Sequence, residues 1–263
     1  MRPTGSDVVE KRDRRFDVVF FDLYGTLVDI RTDESADGPW EYLSRFIAGH
    51  GGRVMSPDSI RVRFADALGR AVAGMGGDDP ERHRYPEPDV LPIYADLLRT
   101  EGVDESDGIG GLAAEVAWGF RRCSTSRLRV YPGAVGFLTR LRATGIRAVL
   151  VSNAQAAYTR PELKLLGLDA VLDRIVISSE QGVRKPDPEL FRRALRAEGA
   201  DSSRVVMVGN DESSDIRGSA AAGVAGVYLR TEISPQDDPA ASPDALLSLH
   251  GADYAALEDF LLR

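Results

Sequence analysis

The residues able to do chemistry in this chain come directly after short apolar runs. Asp22 follows "VVFF", with Tyr24, Gly25 and Thr26 close behind, and Ser152 and Asn153 follow "AVLV". Lys185 lies in the loop after "RIVISS", and Asn210, Asp211 and Asp215 follow "VVMVG". A carboxylate at the end of a buried strand is costly unless it is paired or put to use. Four separate segments thus end in a carboxylate, a small hydroxyl, an ammonium and an acidic pair. If the apolar runs are neighbouring parallel strands, all four groups meet beyond their carboxyl ends, where ligands of such sheets bind.

The elements that must position them follow from the hydrophobic rhythm. From Tyr131 onward, helical stretches such as "AVGFLTRLRATG" and "PELFRRALRAEG" alternate with the strand runs "RAVLVS", "RIVIS", "RVVMVG" and "VAGVYL". Strands buried on both faces and alternating with helices predict a parallel sheet with right-handed crossovers. "ALLSL" and "YAALEDFLL" add a strand and a helix at the end. Between about Thr32 and Arg129 the periodicity is helical without strand runs, in "PWEYLSRFIAGHG", "PDSIRVRFADALGRAVAGM", "VLPIYADLLRTEG" and "GLAAEVAWGFRRC". The expected architecture is α/β, a Rossmann-like doubly wound parallel sheet core with an inserted α-helical cap domain. Residues 1–15 form a charged tail, 16–32 and 129–263 the core, and 33–128 the cap. Pro161 must sit at a break or in a first turn of its helix.

Composition narrows the function classes. A formal net charge of −8 in 263 residues opposes binding to nucleic acid or an anionic membrane. No apolar run approaches a membrane span, and the first residues lack an apolar signal core, so a cytoplasmic protein is expected. The single cysteine, Cys123, excludes an intrachain disulfide framework and a thiolate metal cluster, and its helical context suggests a buried structural thiol.

The segments "FFDLYGTLVD", "VSNA", "GVRKPDPELF" and "VGNDESSDIRGSAAAG" resemble, in order, the four motifs of the haloacid dehalogenase superfamily. The likeness runs from about Phe16 to Leu229, and the helical insertion resembles that superfamily's first type of cap. It implies a hydrolase in which Asp22 is the nucleophile and forms a covalent aspartyl intermediate. It also implies that Thr26 fixes the loop behind Asp22, that Ser152 holds a substrate oxygen beside Asn153, and that Lys185 neutralises Asp22 and the transferring group. Phosphatase members use Mg²⁺. The residues independently favour a cation, because three or four carboxylates around one nucleophile repel one another and Lys185 offsets only part of that charge. Asp22, the backbone carbonyl of Tyr24, and Asp211 or Asp215 would supply the hard oxygen ligands that magnesium prefers.

The chain departs from the phosphatase pattern at Tyr24, where those members mostly carry an acid serving as general acid and base. A phenol with a pKa near 10 is poorly matched to protonating an alkoxide. Tyrosine there is typical of 2-haloacid dehalogenases, whose leaving halide needs no proton. Those enzymes, however, resemble each other in a tyrosine six residues after the lysine, where this chain has Phe191, and they need no metal. The leading expectation is a Mg²⁺-dependent phosphatase for a small phosphorylated molecule with a good leaving group. The alternatives are a 2-haloacid dehalogenase and a non-turnover protein that binds phosphometabolites. Arg82, His83, Arg84 and Tyr85, and Arg121, Arg122, Arg127 and Arg129, are candidate anion contacts of the cap, though most of these arginines are expected to be solvated surface.

Overall fold

A computed structural model describes residues 14–75, 84–104 and 108–263. The expected tail lies outside the described residues as far as residue 13, as do Arg82 and His83. At the described end, Arg14 already bonds Asp17 and the Thr144 carbonyl.

The chain begins with β1 (Val18–Phe21) and β2 (Val28–Thr32), followed by α1 (Asp37–Gly49), α2 (Pro57–Met75), α3 (Val90–Thr100) and α4 (Ile109–Ser124). After β3 (Thr125–Val130), helices and strands alternate through α5 (Ala134–Ala143), β4 (Arg147–Ser152), α6 (Ala156–Leu166), β5 (Arg174–Ile177), α7 (Ser178–Gln181) and α8 (Pro188–Glu198). The last elements are β6 (Val205–Gly209), a π-helical turn (Glu212–Arg217), α9 (Gly218–Ala220), β7 (Ala225–Arg230), β8 (Leu247–His250) and α10 (Tyr254–Leu262).

Six strands form one parallel sheet in the order β5-β4-β1-β6-β7-β8. The chain starts in the middle, winds outward to β5 and returns past β1 to β6. The strand order therefore reverses around β1, and the crevice for ligands lies at its carboxyl end. Alternate side chains enter two cores, as the period of two requires. Val19, Phe21, Leu150 and Val208 pack with Phe137 of α5 and Leu257 of α10, whereas Val18, Phe20, Val151 and Met207 pack with Leu190 and Phe191 of α8. Asp187 caps α8 by accepting from the Glu189 N–H, with Pro188 at the first helical position.

A third cluster joins Trp40, Leu43, Ile60, Tyr94, Val116 and Phe120 of the four inserted helices, and Tyr158 of α6 reaches into it. These helices leave and rejoin the sheet through an antiparallel ribbon of β2 and β3. The sequence reading has no strand there. Arg127 and Arg129 alternate outward on β3 and pair with the buried Asp29, so the strand lacks an apolar run.

Two local expectations are corrected. Cys123 is exposed, because the buried stripe of α4 runs through Val116, Ala117, Phe120, Arg121 and Ser124 and passes it by. Pro161 lies inside α6 with no break. It removes one backbone donor just beyond the first turn, and the burial of Tyr158 and Leu163 on either side carries the helix across it.

Candidate active site

Asp22 directly follows β1 with its N–H bonded to the Val208 carbonyl, so the start of the loop after β1 is stitched to the end of β6. Lys185 reaches this point from the loop before α8. It is 2% exposed, and its Nζ donates to Asp22 Oδ1 at 2.7 Å and to Asp215 Oδ1 at 2.6 Å. Asp215, 1% exposed, also accepts from the Asp211 N–H at 3.0 Å through its other oxygen. Gly209 makes room for it, since a Cβ there would lie 2.2 Å from an Asp215 oxygen. Two carboxylates thus share one ammonium inside the protein. Burial and the charge of Asp22 raise the Asp215 pKa above the usual carboxylate range, against the opposing pull of Lys185. Lys185 itself is pulled down by burial, but the two acids outweigh that and hold it charged.

Ser152 ends β4, and its Oγ is buried without a hydrogen-bond partner. A buried hydroxyl without a partner is an unspent donor, a group that a ligand oxygen can satisfy. The Asn153 side chain is turned onto the lysine loop. Its side-chain amide donates to the Lys185 carbonyl at 2.9 Å, and its Oδ1 accepts from the Lys185 N–H at 2.8 Å. The residue therefore aims the lysine. Ser178 and Ser179 accept from the N–H groups of Ala154 and Ala156, fixing the same loop.

Thr26 is buried and donates to Asn210 Oδ1 at 3.3 Å. Gly25 sits at φ +88°, and a Cβ there would lie 2.2 Å from Asn210 Nδ2, so the turn after Asp22 closes against this asparagine. Asn210 is occupied in locking that turn. The two acids that follow are separated by their geometry: Asp211 caps the π-helical turn, accepting from Ser214 N at 2.7 Å and Ser214 Oγ at 2.9 Å, whereas Asp215 faces Lys185 and Asp22.

Tyr24 turns the opposite way. Its hydroxyl donates to Glu162 and bonds Thr159 Oγ1 at 2.9 Å, and burial followed by the charge of Glu162 raises its pKa far above the ordinary phenol value. Glu162 also accepts from Arg121 Nε at 2.6 Å, and the Arg121 guanidinium lies 5.7 Å from the Tyr24 ring centroid. Glu162 is absent from the sequence-based candidates, although an acid on the same face of α6 as Tyr158 and Thr159 marks a buried polar partner. Of the proposed anion contacts, Arg121 belongs to this cluster, Arg127 and Arg129 pair with Asp29, and Arg84 lies over its neighbour Tyr85. Between Tyr24, Asn153 and the inserted helices is a cavity of about 590 Å³.

Among the described residues, no three His, Cys, Asp or Glu side chains are grouped as a metal cage. Two carboxylates with a backbone carbonyl and waters suffice for magnesium, however, and Asp22 with Asp215 provides that donor chemistry.

A family model described as haloacid dehalogenase-like hydrolase matches residues 16–223. The chain belongs to this family. A phosphoglycolate phosphatase from Rhodospirillum rubrum is 37% identical over 250 residues, covering 92% of this chain and 90% of that protein. A phosphoserine phosphatase from Thermus thermophilus is 35% identical over 62% of this chain and 66% of its own length. A glyceraldehyde 3-phosphate phosphatase from Methanothermobacter thermautotrophicus is 34% identical over 41% of this chain and 47% of its own. The chain thus spans about half to two thirds of the latter two proteins. The fold is shared with a HAD phosphatase from Thermococcus onnurineus (TM-score 0.55, 23% identity, 94% of this chain and 98% of that one). It is shared equally with a 2-haloacid dehalogenase from Pseudomonas syringae (TM-score 0.59, 21% identity, 93% and 98%). The residues matched by the haloacid dehalogenase-like hydrolase model form most of the Rossmann-like core and the helices inserted in it. No described helix is long and apolar enough to cross a membrane.

Proposed function

We propose that this hydrolase is a Mg²⁺-dependent phosphatase acting on a small phosphorylated molecule through a phosphoryl-Asp22 intermediate. The observation that carries the reading is the buried cluster in which Asp22 and Asp215 share Lys185, one positive charge against two negative. Such a site is short of positive charge, and a dianionic phosphoryl group increases the shortage. Asp22, Asp215 and the Tyr24 carbonyl would hold the cation, which when bound supplies positive charge beside the transferring group. Asp211 serves as the cap of the turn that presents Asp215.

An Asp22 carboxylate oxygen attacks phosphorus, and the bond from phosphorus to the leaving oxygen breaks with its electron pair on that oxygen. Lys185 holds the nucleophile charged and in place, while the free Ser152 hydroxyl donates to a phosphoryl oxygen. The leaving group takes its proton from solvent, because the Tyr24 hydroxyl is committed to Glu162. Water then attacks the phosphoryl-aspartate, restoring the Asp22 carboxylate and releasing dihydrogen phosphate. The phosphatase names of the relatives agree with this class.

Tyr24 favours a second reading, carbon–halogen cleavage through an Asp22 ester. Phe191 gives it no help, being fully buried under the sheet. Chelator-stripped protein assayed on acetyl phosphate and on 2-chloropropionate separates the two. Phosphate release restored by Mg²⁺ is expected. Halide release indifferent to chelator sinks the proposal, and binding of phosphate without any turnover shows a non-catalytic protein.

A further inference from the structure

The cavity above Tyr24 and Asn153 has a character of its own. Its walls include Ile30, Trp40, Phe64, Leu68, Val90 and Phe120. Helix α2 contributes Arg61, Phe64, Ala65 and Leu68, which are spaced i, i+3, i+4 and i+7 and form one stripe. Only Ile60 is buried along α2, and within the stripe Phe64 meets the Trp40 and Tyr94 rings at 5.7 and 5.0 Å while Leu68 stays half-buried on the cavity wall. A space of about 590 Å³ lies within the range that encloses a ring-bearing ligand and far exceeds what a two-carbon body fills.

The charges lining the space are already matched. Arg121 is paired with Glu162 at 2.6 Å and Glu34 at 3.2 Å, and Arg61 with Asp37 at 3.2 Å and Asp58 at 3.3 Å. Glu34 and Glu87 add two negative charges to the same lining, and Glu87 is held by Gln155. Two guanidiniums against two carboxylates leave no spare positive charge among the described lining residues for a second anionic group on the substrate. One donor of these paired guanidiniums is unspent, since Arg61 Nε is buried without an acceptor.

Resting on the phosphatase reading, we infer that the preferred substrate is a phosphate monoester of a flat, uncharged aromatic body seated between α2 and the sheet edge, with the phosphate at Asp22. Short carboxylated phosphates are disfavoured. In the transfer, the bond between phosphorus and the aryl oxygen breaks, the phenolate leaves with the electron pair and is protonated by water, and Asp22 carries the phosphoryl group until a second water releases it. A phenolate is a better leaving group than an alkoxide, which suits a site with tyrosine rather than a carboxylic acid at position 24.

The test compares 1-naphthyl phosphate, phosphoglycolate and acetyl phosphate with the full chain and Mg²⁺. Acetyl phosphate reports the phosphatase chemistry with almost no body to recognise. For naphthyl phosphate, kcat/KM is expected to exceed that for phosphoglycolate by at least about 100-fold, the size of effect that a matched apolar pocket and an unpaired buried carboxylate together produce. Leu68→Glu should raise the naphthyl phosphate KM by about tenfold at an unchanged thermal midpoint, because it puts a charge in the apolar wall. Hydrolysis of acetyl phosphate combined with equal or faster turnover of phosphoglycolate overturns the inference and leaves the phosphatase reading standing. A folded Leu68→Glu protein with unchanged KM overturns it as well. If none of the three releases phosphate, the phosphatase reading itself fails.

Discussion

Two residues apart on one loop, Asp22 and Tyr24 enter two different buried charge clusters. Asp22 shares Lys185 with Asp215, which leaves two acids on one base. Tyr24 bonds Glu162, and Glu162 pairs with Arg121, one buried acid with one buried base beside a neutral phenol, while the half-exposed Glu34 reaches Arg121 from the solvent side at 3.2 Å. The second cluster also draws Arg121 of α4 and Glu34 onto α6, so it ties the inserted helices to the core. Balanced buried pairs cost desolvation and return it through geometry, and they need nothing further. An imbalanced cluster stays short of charge until a ligand arrives, and that is where chemistry is to be sought.

The contrast can be broken by substitution, beginning with the largest effect. Asp22→Asn should lower kcat on acetyl phosphate by a factor on the order of 10⁴, as loss of a covalent nucleophile does, with the fold intact by circular dichroism. Lys185→Met leaves two buried carboxylates uncompensated. It should cost about 3–5 kcal/mol in urea unfolding and lower kcat on the order of 10³-fold.

In the balanced cluster the order of effects inverts. Arg121→Leu should destabilise by about 3–5 kcal/mol, and the double change Arg121→Leu with Glu162→Leu should recover most of that loss, because it removes both charges together. If instead Arg121→Leu proved as damaging to kcat as Lys185→Met, the division between the clusters would collapse.

The smallest effect concerns the far end of the sheet. Asp17 is bonded by Arg204, and by Arg14, and its pKa is held below the usual carboxylate value. A lowered folded-state pKa stabilises above the unfolded value and loses that stabilisation as pH falls through it. Asp17→Asn should therefore lower the thermal midpoint slightly at pH 7, and the difference from the parent should fade as pH falls below the ordinary carboxylate value. This exposed pair has no bearing on turnover, so kcat should not change.

The sequence exposes the imbalanced cluster better than the balanced one. Asp22, Ser152, Lys185 and Asp215 each follow an apolar run, and the parallel order of the strands does the rest. Which acid faces Lys185 depends on the π-helical turn, where Asp211 is spent on Ser214, and no spacing rule distinguishes it from Asp215. The face that Glu162 shares with Tyr158 and Thr159 hints at burial, but its partners, Tyr24 and Arg121, are 138 and 41 residues away and are set by the tertiary structure. The β2–β3 ribbon was hidden for a related reason. One side of β3 is charged, and its arginines make sense only once Asp29 lies across from them.

The central claim is that the charge-short cluster forms a phosphoryl-aspartate. Acid quenching of the protein during turnover of acetyl phosphate with Mg²⁺, followed by peptide mass spectrometry, tests it most directly. A phosphoryl adduct confined to Asp22, absent after chelation and absent in Asp22→Asn, is the predicted result. Steady turnover with no adduct on Asp22, or turnover retained by Asp22→Asn, would contradict it.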